Sequence, residues 1–296
     1  MYSGFPTSLV SALRCPVDSG VLTHNAGGTH LKNEALTCDT CSARYDIVEG
    51  IVHMLDASHL EPEMAHEAQM RDNNAEDYDR HFSERHEREV VQTVQIVGSI
   101  KGKRVIEYGA GTGRMTEILA SQSALYLATD MSLRSLVRLS HKNIPETAGL
   151  VWTEAAGLRT APRYFDVAVT FQMIEHMPRA IRDRFYESTS GTLKENGRFI
   201  ASVYHQDIRR KRKGLPQDGT HPNGIYFHCF EKNEFTVELS SNFSVTLIQP
   251  TDVVIPLQSR LRLPAKLDGV LSRFFSHVPI IQDYGHIIIA RAEQKI

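Results

Sequence analysis

The residues with the most evident chemical use form one run, Val105-Ile-Glu-Tyr-Gly-Ala-Gly-Thr-Gly-Arg-Met115. Glycines at 109, 111 and 113 let the backbone turn sharply and approach a ligand with no Cβ in the way. The N–H groups that open the following helix face the same space. Asp130 comes twenty-one residues after Gly109, at the end of the next apolar run, where a carboxylate can accept from both hydroxyls of a ribose. Loop and acid together point to a ligand built on a nucleoside. A dinucleotide fingerprint needs G-x-G-x-x-G, whereas the spacing here is G-x-G-x-G and Arg114 stands where the third glycine belongs. Glu107, two residues ahead of Gly109, would repel a pyrophosphate and suits a ligand with an ammonium or sulfonium group.

A second group of reactive side chains lies near the start of the chain. Cys15-Pro-Val-Asp18 and Cys38-Asp-Thr-Cys41 offer three thiolates and a carboxylate, the number of ligands that zinc takes in a tetrahedral site. Asp18 stands where a second thiolate of the first pair would be expected, so a zinc site and a metal-free remnant both stay open, with His24 or His30 as alternative fourth ligands. Cys229 is far away and reads as a core residue. His53, His59, His66, His81 and His86 are irregularly spaced and read as part of a polar helical region, not a metal site. Arg209-Arg-Lys-Arg-Lys213 is the one charge run; it reads either as a solvated loop or as a lid that binds an acidic substrate or a phosphate backbone.

The elements that must hold these residues alternate. Arg104-Val-Ile-Glu-Tyr, Ala124-Leu-Tyr-Leu-Ala-Thr, Phe165-Asp-Val-Ala-Val-Thr-Phe and Arg198-Phe-Ile-Ala-Ser-Val-Tyr have the texture of strands. Amphipathic stretches lie between them, such as Ser132 to Leu139, with Ser132 as N-cap and Leu133, Leu136 and Val137 on one face. This order predicts an α/β fold with a doubly wound, mostly parallel sheet. Residues 1–55 form a small cysteine-bearing module. Residues 56–98 are a helical linker or cap, whose last part carries Val90, Val91, Val94 and Val97 as a stripe. Residues 99–296 are the main domain, with a lid loop at 206–224 and an insertion at 251–283. Ser244–Ile248 and His286–Ala290 are its last strand candidates, and Leu257, Leu261, Leu263, Leu267, Leu271, Phe274 and Phe275 of the insertion line a pocket, a dimer contact or the core. With 296 residues and a formal net charge of −2, the chain lacks the overall field of a nucleic-acid binder. No signal segment and no membrane span are expected, and the few cysteines fit a reducing, cytoplasmic setting.

From Glu107 to Gly113, with Asp130 closing the next strand, the chain resembles the class I S-adenosylmethionine-dependent methyltransferases. The likeness continues through Glu154-Ala155, Gln172-Met-Ile-Glu-His-Met-Pro178 and Leu193-Lys-Glu-Asn-Gly-Arg-Phe-Ile200, a pattern of the ubiquinone/menaquinone-biosynthesis-like branch. The resemblance implies a seven-stranded Rossmann-like sheet whose last strand is antiparallel, and S-adenosylmethionine as cofactor. It implies that Gly109, Ala110, Gly111 and Gly113 cradle the methionine part and that Asp130 holds the ribose. Met131 would pack on the adenine, Glu154 and Ala155 would meet its edge, Phe171 and Gln172 would lie beside the cofactor, and Tyr78 would cap it. Glu154 replaces the usual Asp, and Asn196 replaces the first glycine of a Gly-Gly turn, where Asn still tolerates positive φ. The cysteine segment with its tail Tyr45–Leu55 resembles the small zinc-ribbon activators of tRNA and protein methyltransferases, which implies a structural zinc ion at Cys15, Asp18, Cys38 and Cys41.

Methyl transfer from a sulfonium is an in-line displacement, so the protein positions the reactants and removes a proton where one must leave. His176 and His205 follow the fourth and fifth strands of the main domain and are the candidate catalytic bases, with His205 preferred. The acceptor this favours is a small molecule methylated on O, N or C. RNA is the less favoured alternative, because Glu175-His-Met-Pro178 stands where amino-group nucleic-acid methyltransferases carry a Pro-Pro-Tyr-type motif. A non-catalytic scaffold is the third reading. Oligomeric state is not legible in the residues.

Overall fold

The computed structural model describes residues 2–56, 58, 60–78, 84–253, 265–279 and 281–295, the side chains of 84–88, 265–266 and 268 excepted. His59, His81, Leu257, Leu261 and Leu263, and the side chain of His86, lie outside the described residues.

The main domain is built from β7 (Arg104–Tyr108), β8 (Leu125–Asp130), β9 (Ala148–Trp152), β10 (Phe165–Phe171), β11 (Leu193–Tyr204), β14 (Phe243–Val253) and β15 (Gly285–Gln294). Their lateral order is β9-β8-β7-β10-β11-β15-β14. β7 through β11 pair in parallel, and β15 runs antiparallel to both β11 and β14. Parallel strands covered on both faces need near-continuous apolar runs. β10 shows this, since six of its seven residues are buried and only Asp166 is not. Asn196 adopts a φ of +62°, the value the Asn-Gly turn asks for.

The small first segment does not stand apart. Its strands are β1 (Phe5–Pro6), β2 (Leu22–Thr23), β3 (His30–Leu31), β4 (Ala35–Cys38), β5 (Arg44–Val48) and β6 (Ile51–His53). β6 pairs in parallel with β9, Ile51 opposite Leu150, and β5, β4 and β2 follow outward in antiparallel order. The expected seven strands therefore belong to one sheet of eleven. Residues from both segments share one apolar cluster, in which Phe5, Leu9 and Leu36 join Leu127 and Val151.

The linker forms α1 (Pro62–Tyr78) and α2 (Glu84–Val97). Val97 is buried and Val90 and Val94 pack on the core, but Val91 is 56% exposed, because the 3.6-residue period rotates it off the stripe. α3 (Thr116–Leu119) follows the glycine loop, and α4 (Leu133–Ser140) starts at Ser132, whose Oγ accepts from the Ser135 amide as an N-cap. Leu136 and Leu139 carry the buried face of α4 while Val137 turns outward. α5 (Arg179–Thr192) covers the other side of the sheet. Beyond β11 come α6 (Ile208–Arg212), the hairpin β12 (Asp218–Thr220) and β13 (Tyr226–His228), then α7 (Lys232–Ser240) and, after β14, α8 (Ala265–Phe275). Among the described residues no helix is long and apolar enough to cross a membrane.

Candidate active site

β7 and β10 are neighbours whose outer partners lie on opposite sides, so the strand order reverses between them and a crevice opens at their carboxyl ends. The glycine loop and Gln172 sit on this crevice. Gly109 and Ala110 donate their N–H groups to the Thr129 carbonyl at 2.9 Å each, which ties the loop to the end of β8. The Gly111 amide donates to Asp130 Oδ2 at 2.7 Å and the Ser132 amide to Oδ1 at 2.8 Å. Burial pushes the Asp130 carboxyl upward, and these two amides oppose that shift. The glycines are needed for different reasons. A Cβ on Gly113 would meet Leu139 Cδ1 at 2.2 Å and one on Gly109 the Met173 sulfur at 2.8 Å, whereas a Cβ on Gly111 would meet nothing within 4 Å and would enter the crevice itself.

The crevice holds a cavity of about 290 Å³. Of the expected site residues, Tyr78, Gly109, Gly111, Asp130, Met131, Ala155, Phe171, Gln172 and His176 line it. Ala110 and Gly113 support the loop from behind and are not on the lining. Two acids do not face the cavity. Glu107 is 2% exposed beneath the loop, where its Oε2 accepts from Thr116 Oγ1 at 2.5 Å and Tyr126 OH at 2.8 Å. Burial pushes Glu107 up to about 7. Glu154 turns back on its own chain and accepts from the Gly157 and Ala156 amides, capping the turn that follows β9. Thr153 and Ala155 line the cavity on either side of it.

The sequence reading missed the contribution of α1. Met64, Glu67, Arg71 and Asn74 line the cavity beside Tyr78. Arg71 donates from Nη2 to Glu67 Oε1 at 3.1 Å across one helical turn. Burial pushes Glu67 up to about 7, with Arg71 opposing. The Glu-x-x-x-Arg spacing was visible, but the side of the domain on which α1 docks was not. That docking uses Asp72, which accepts from Ser132 Oγ at 2.6 Å and the Arg134 amide at 3.1 Å at the start of α4.

A second cavity of about 530 Å³ shares Gln172 with the first. It is bounded by Tyr204 at the end of β11 and His205 just after it, by Arg209, Arg210 and Lys213 of and after α6, by His221 and Phe227 of the hairpin segment, and by His286 of β15. Cys229 also reaches its wall. Gln172 takes the uncommon φ of +56° and donates from Nε2 to Glu89 Oε1. The His176 and Tyr204 rings meet edge to face at 5.6 Å, and His176 and His221 lie 6.0 Å apart, so aromatic rings form the partition between the cavities.

Both candidate histidines donate through Nδ1 to a carbonyl, His176 to Tyr226 at 2.8 Å and His205 to Gly285 at 2.7 Å. A carbonyl only accepts, so each ring carries its proton on Nδ1 and keeps a lone pair on Nε2. Burial holds both below the usual histidine range, His176 far below it with Arg71 adding to the effect.

At the other end of the sheet Cys15, Asp18, Cys38 and Cys41 present donor atoms that all lie within 4.8 Å of one another. The Cys15 and Cys41 sulfurs are 3.6 Å apart, close to the roughly 3.7 Å that two thiolates keep around a tetrahedral zinc ion. Cys38 Sγ lies 3.3 Å from Asp18 Oδ1. His30 is turned to Thr29 and the Glu146 carbonyl, and His24 is outside the cluster.

Comparison with known proteins agrees with this geometry. The profile of a family described as a methyltransferase domain matches residues 66–240, more than half of the chain. A ubiquinone biosynthesis O-methyltransferase from Nitrosomonas europaea is 31% identical over 88 residues, which make up 28% of this chain and 37% of that protein. The match thus spans little more than a third of the curated relative. Two solved structures share the fold at 15% identity. One is a DhpI–SAM–HEP complex, with a TM-score of 0.57 over 79% of this chain and 98% of the other. The second is the 1,6-didemethyltoxoflavin-N1-methyltransferase of Burkholderia thailandensis with bound 1,6-didemethyltoxoflavin and S-adenosylhomocysteine, with a TM-score of 0.55 over 90% and 100%. By family profile and by the order of its strands, the chain belongs to the class I S-adenosylmethionine-dependent methyltransferases.

Proposed function

We propose that the enzyme methylates a small molecule bound in the second cavity, with the cofactor bound in the first. The observation that carries this reading is the pair of cavities meeting at Gln172. The residues of the first fit the cofactor. Asp130 presents a carboxylate for the ribose hydroxyls, Arg71 a cation for the amino-acid carboxylate, and Gly111 a backbone position without a Cβ. Met131, Ala155 and Met64 give apolar wall for the adenine. When bound, S-adenosylmethionine supplies a methyl group made electrophilic by its sulfonium.

The chain's own residues do the rest. Gln172, Tyr204 and His221 hold the acceptor at the partition. His205 lines the acceptor cavity and takes the departing proton on Nε2. His176 lines the cofactor side and is the second candidate base. Cys15, Asp18, Cys38 and Cys41 hold a structural zinc ion that cross-links the first segment.

The acceptor class is tested by incubating the full chain with methyl-labelled S-adenosylmethionine and either a small-molecule extract or total RNA. Label is expected in the small molecules. Label in RNA alone would overturn the acceptor assignment.

A further inference from the structure

The charge run Arg209–Lys213 forms and follows α6, and it builds one wall of the second cavity. Its charges are unequally neutralised. Asp207 caps α6, its Oδ1 accepting from the Arg209 and Arg210 amides at 2.7 and 3.0 Å. Its Oδ2 pairs with Arg209 Nη2 at 3.1 Å and His286 Nδ1 at 2.9 Å. Glu89, another acid on the lining, pairs with Arg114 at 3.1 Å and accepts from Gln172. The third, Asp252 on β14, has its own partner. Arg210 instead donates to the neutral oxygens of Gln206 at 2.9 Å and of the Pro216 backbone at 2.9 Å, and its guanidinium carbon lies 5.6 Å from the centre of the Phe227 ring. Lys213 forms no ion pair among the described residues. Two cations therefore line the cavity with no carboxylate paired to them among the described residues, whereas Asp207 and Glu89 each have a cationic partner.

Resting on the methyltransferase reading above, we infer that the acceptor bears an anionic group, a carboxylate or a phosphate ester, held by Arg210 and Lys213 while its nucleophilic end lies at Gln172. A guanidinium partly withdrawn from water gains most from an ionised ligand that accepts charge-assisted hydrogen bonds. The volume of about 530 Å³ is that of an ordinary small-molecule site.

The test divides a small-molecule extract on an anion exchanger before reaction. Retained and unretained fractions are each incubated with the enzyme and methyl-labelled S-adenosylmethionine. Uptake is expected in the retained fraction, and in Arg210→Gln and Lys213→Gln it should fall about tenfold or more while S-adenosylhomocysteine affinity holds. Arg210→Lys should recover part of the loss. Pretreating the retained fraction with alkaline phosphatase separates the two anions: uptake lost means a phosphate ester, uptake kept means a carboxylate. Uptake confined to the unretained fraction, or unchanged in both Gln variants, would overturn the anionic acceptor and leave the methyltransferase reading intact. Uptake in neither fraction, with no S-adenosylhomocysteine bound, would overturn that reading itself.

Discussion

Asp130 accepts one amide on each carboxylate oxygen, and those two bonds fix where its remaining lone pairs point. That position was legible in the sequence, as were Gly111, Met131 and Gln172, because a strand–loop–helix motif is local and its backbone geometry follows from residue type. Side-chain direction was less legible. Glu107 lies on a strand with both faces covered, so alternation could not say which way it turns, and it points into the core. Arg71 and Glu67 were hidden for the opposite reason, since their place depends on a helix docking from a distant part of the chain. At this scale the histidines make the sharpest expectation. His205→Ala should lower turnover by about 10²–10⁴-fold with S-adenosylhomocysteine affinity unchanged, and His176→Ala should cost less. Because burial depresses the His205 pKa, the wild-type rate should hold as pH falls to about 6.5 and decline only below it. Equal small losses from both variants, or a rate that falls already near neutrality, would remove His205 from proton transfer.

The junction of β7, the glycine loop and α3 encloses Glu107, whose carboxylate accepts from the hydroxyls of Thr116 and Tyr126. Burial pushes its carboxyl up to about 7 in the folded chain, against about 4.3 for the unfolded one. A raised folded pKa contributes stability that is fully present below the unfolded value and is lost as pH rises through the folded one. Glu107→Gln keeps the acceptor oxygen and removes the titration. The variant should therefore lose less melting temperature than the wild type between about pH 5.5 and pH 8. Comparing the two proteins cancels the contributions of the buried histidines, which run in the opposite direction. Parallel melting curves at both pH values would place the proton elsewhere.

Across the whole molecule, the alternation of strands and helices from 100 to 205 announced the doubly wound sheet, but the joining of the first segment to it did not show. The Ile51–Leu150 pairing links residues far apart in sequence, and its register is set by tertiary packing, not by any local pattern. The junction reaches the cofactor cavity. The Met54 amide donates to the Trp152 carbonyl at 2.9 Å, His53 meets the Trp152 ring at 5.1 Å, and the Trp152 indole donates to the Met131 carbonyl at 2.9 Å. Elemental analysis should find close to one zinc ion per chain. Cys38→Ser with Cys41→Ser should lose it and melt earlier, since structural zinc carries folding free energy. The same double variant should bind S-adenosylhomocysteine more weakly, because Met131 loses support. A metal-free wild type from zinc-supplemented expression would argue for a ribbon that keeps its fold without metal.

Titration calorimetry with S-adenosylhomocysteine tests most directly whether the glycine-loop cavity is the cofactor site. The wild type should bind one molecule per chain, NADH should not displace it, and Asp130→Ala should weaken binding by about 1–3 kcal/mol through the loss of charge-assisted hydrogen bonds. Absence of binding by the folded wild type, or an affinity unchanged in Asp130→Ala, would contradict the assignment of the first cavity to the cofactor.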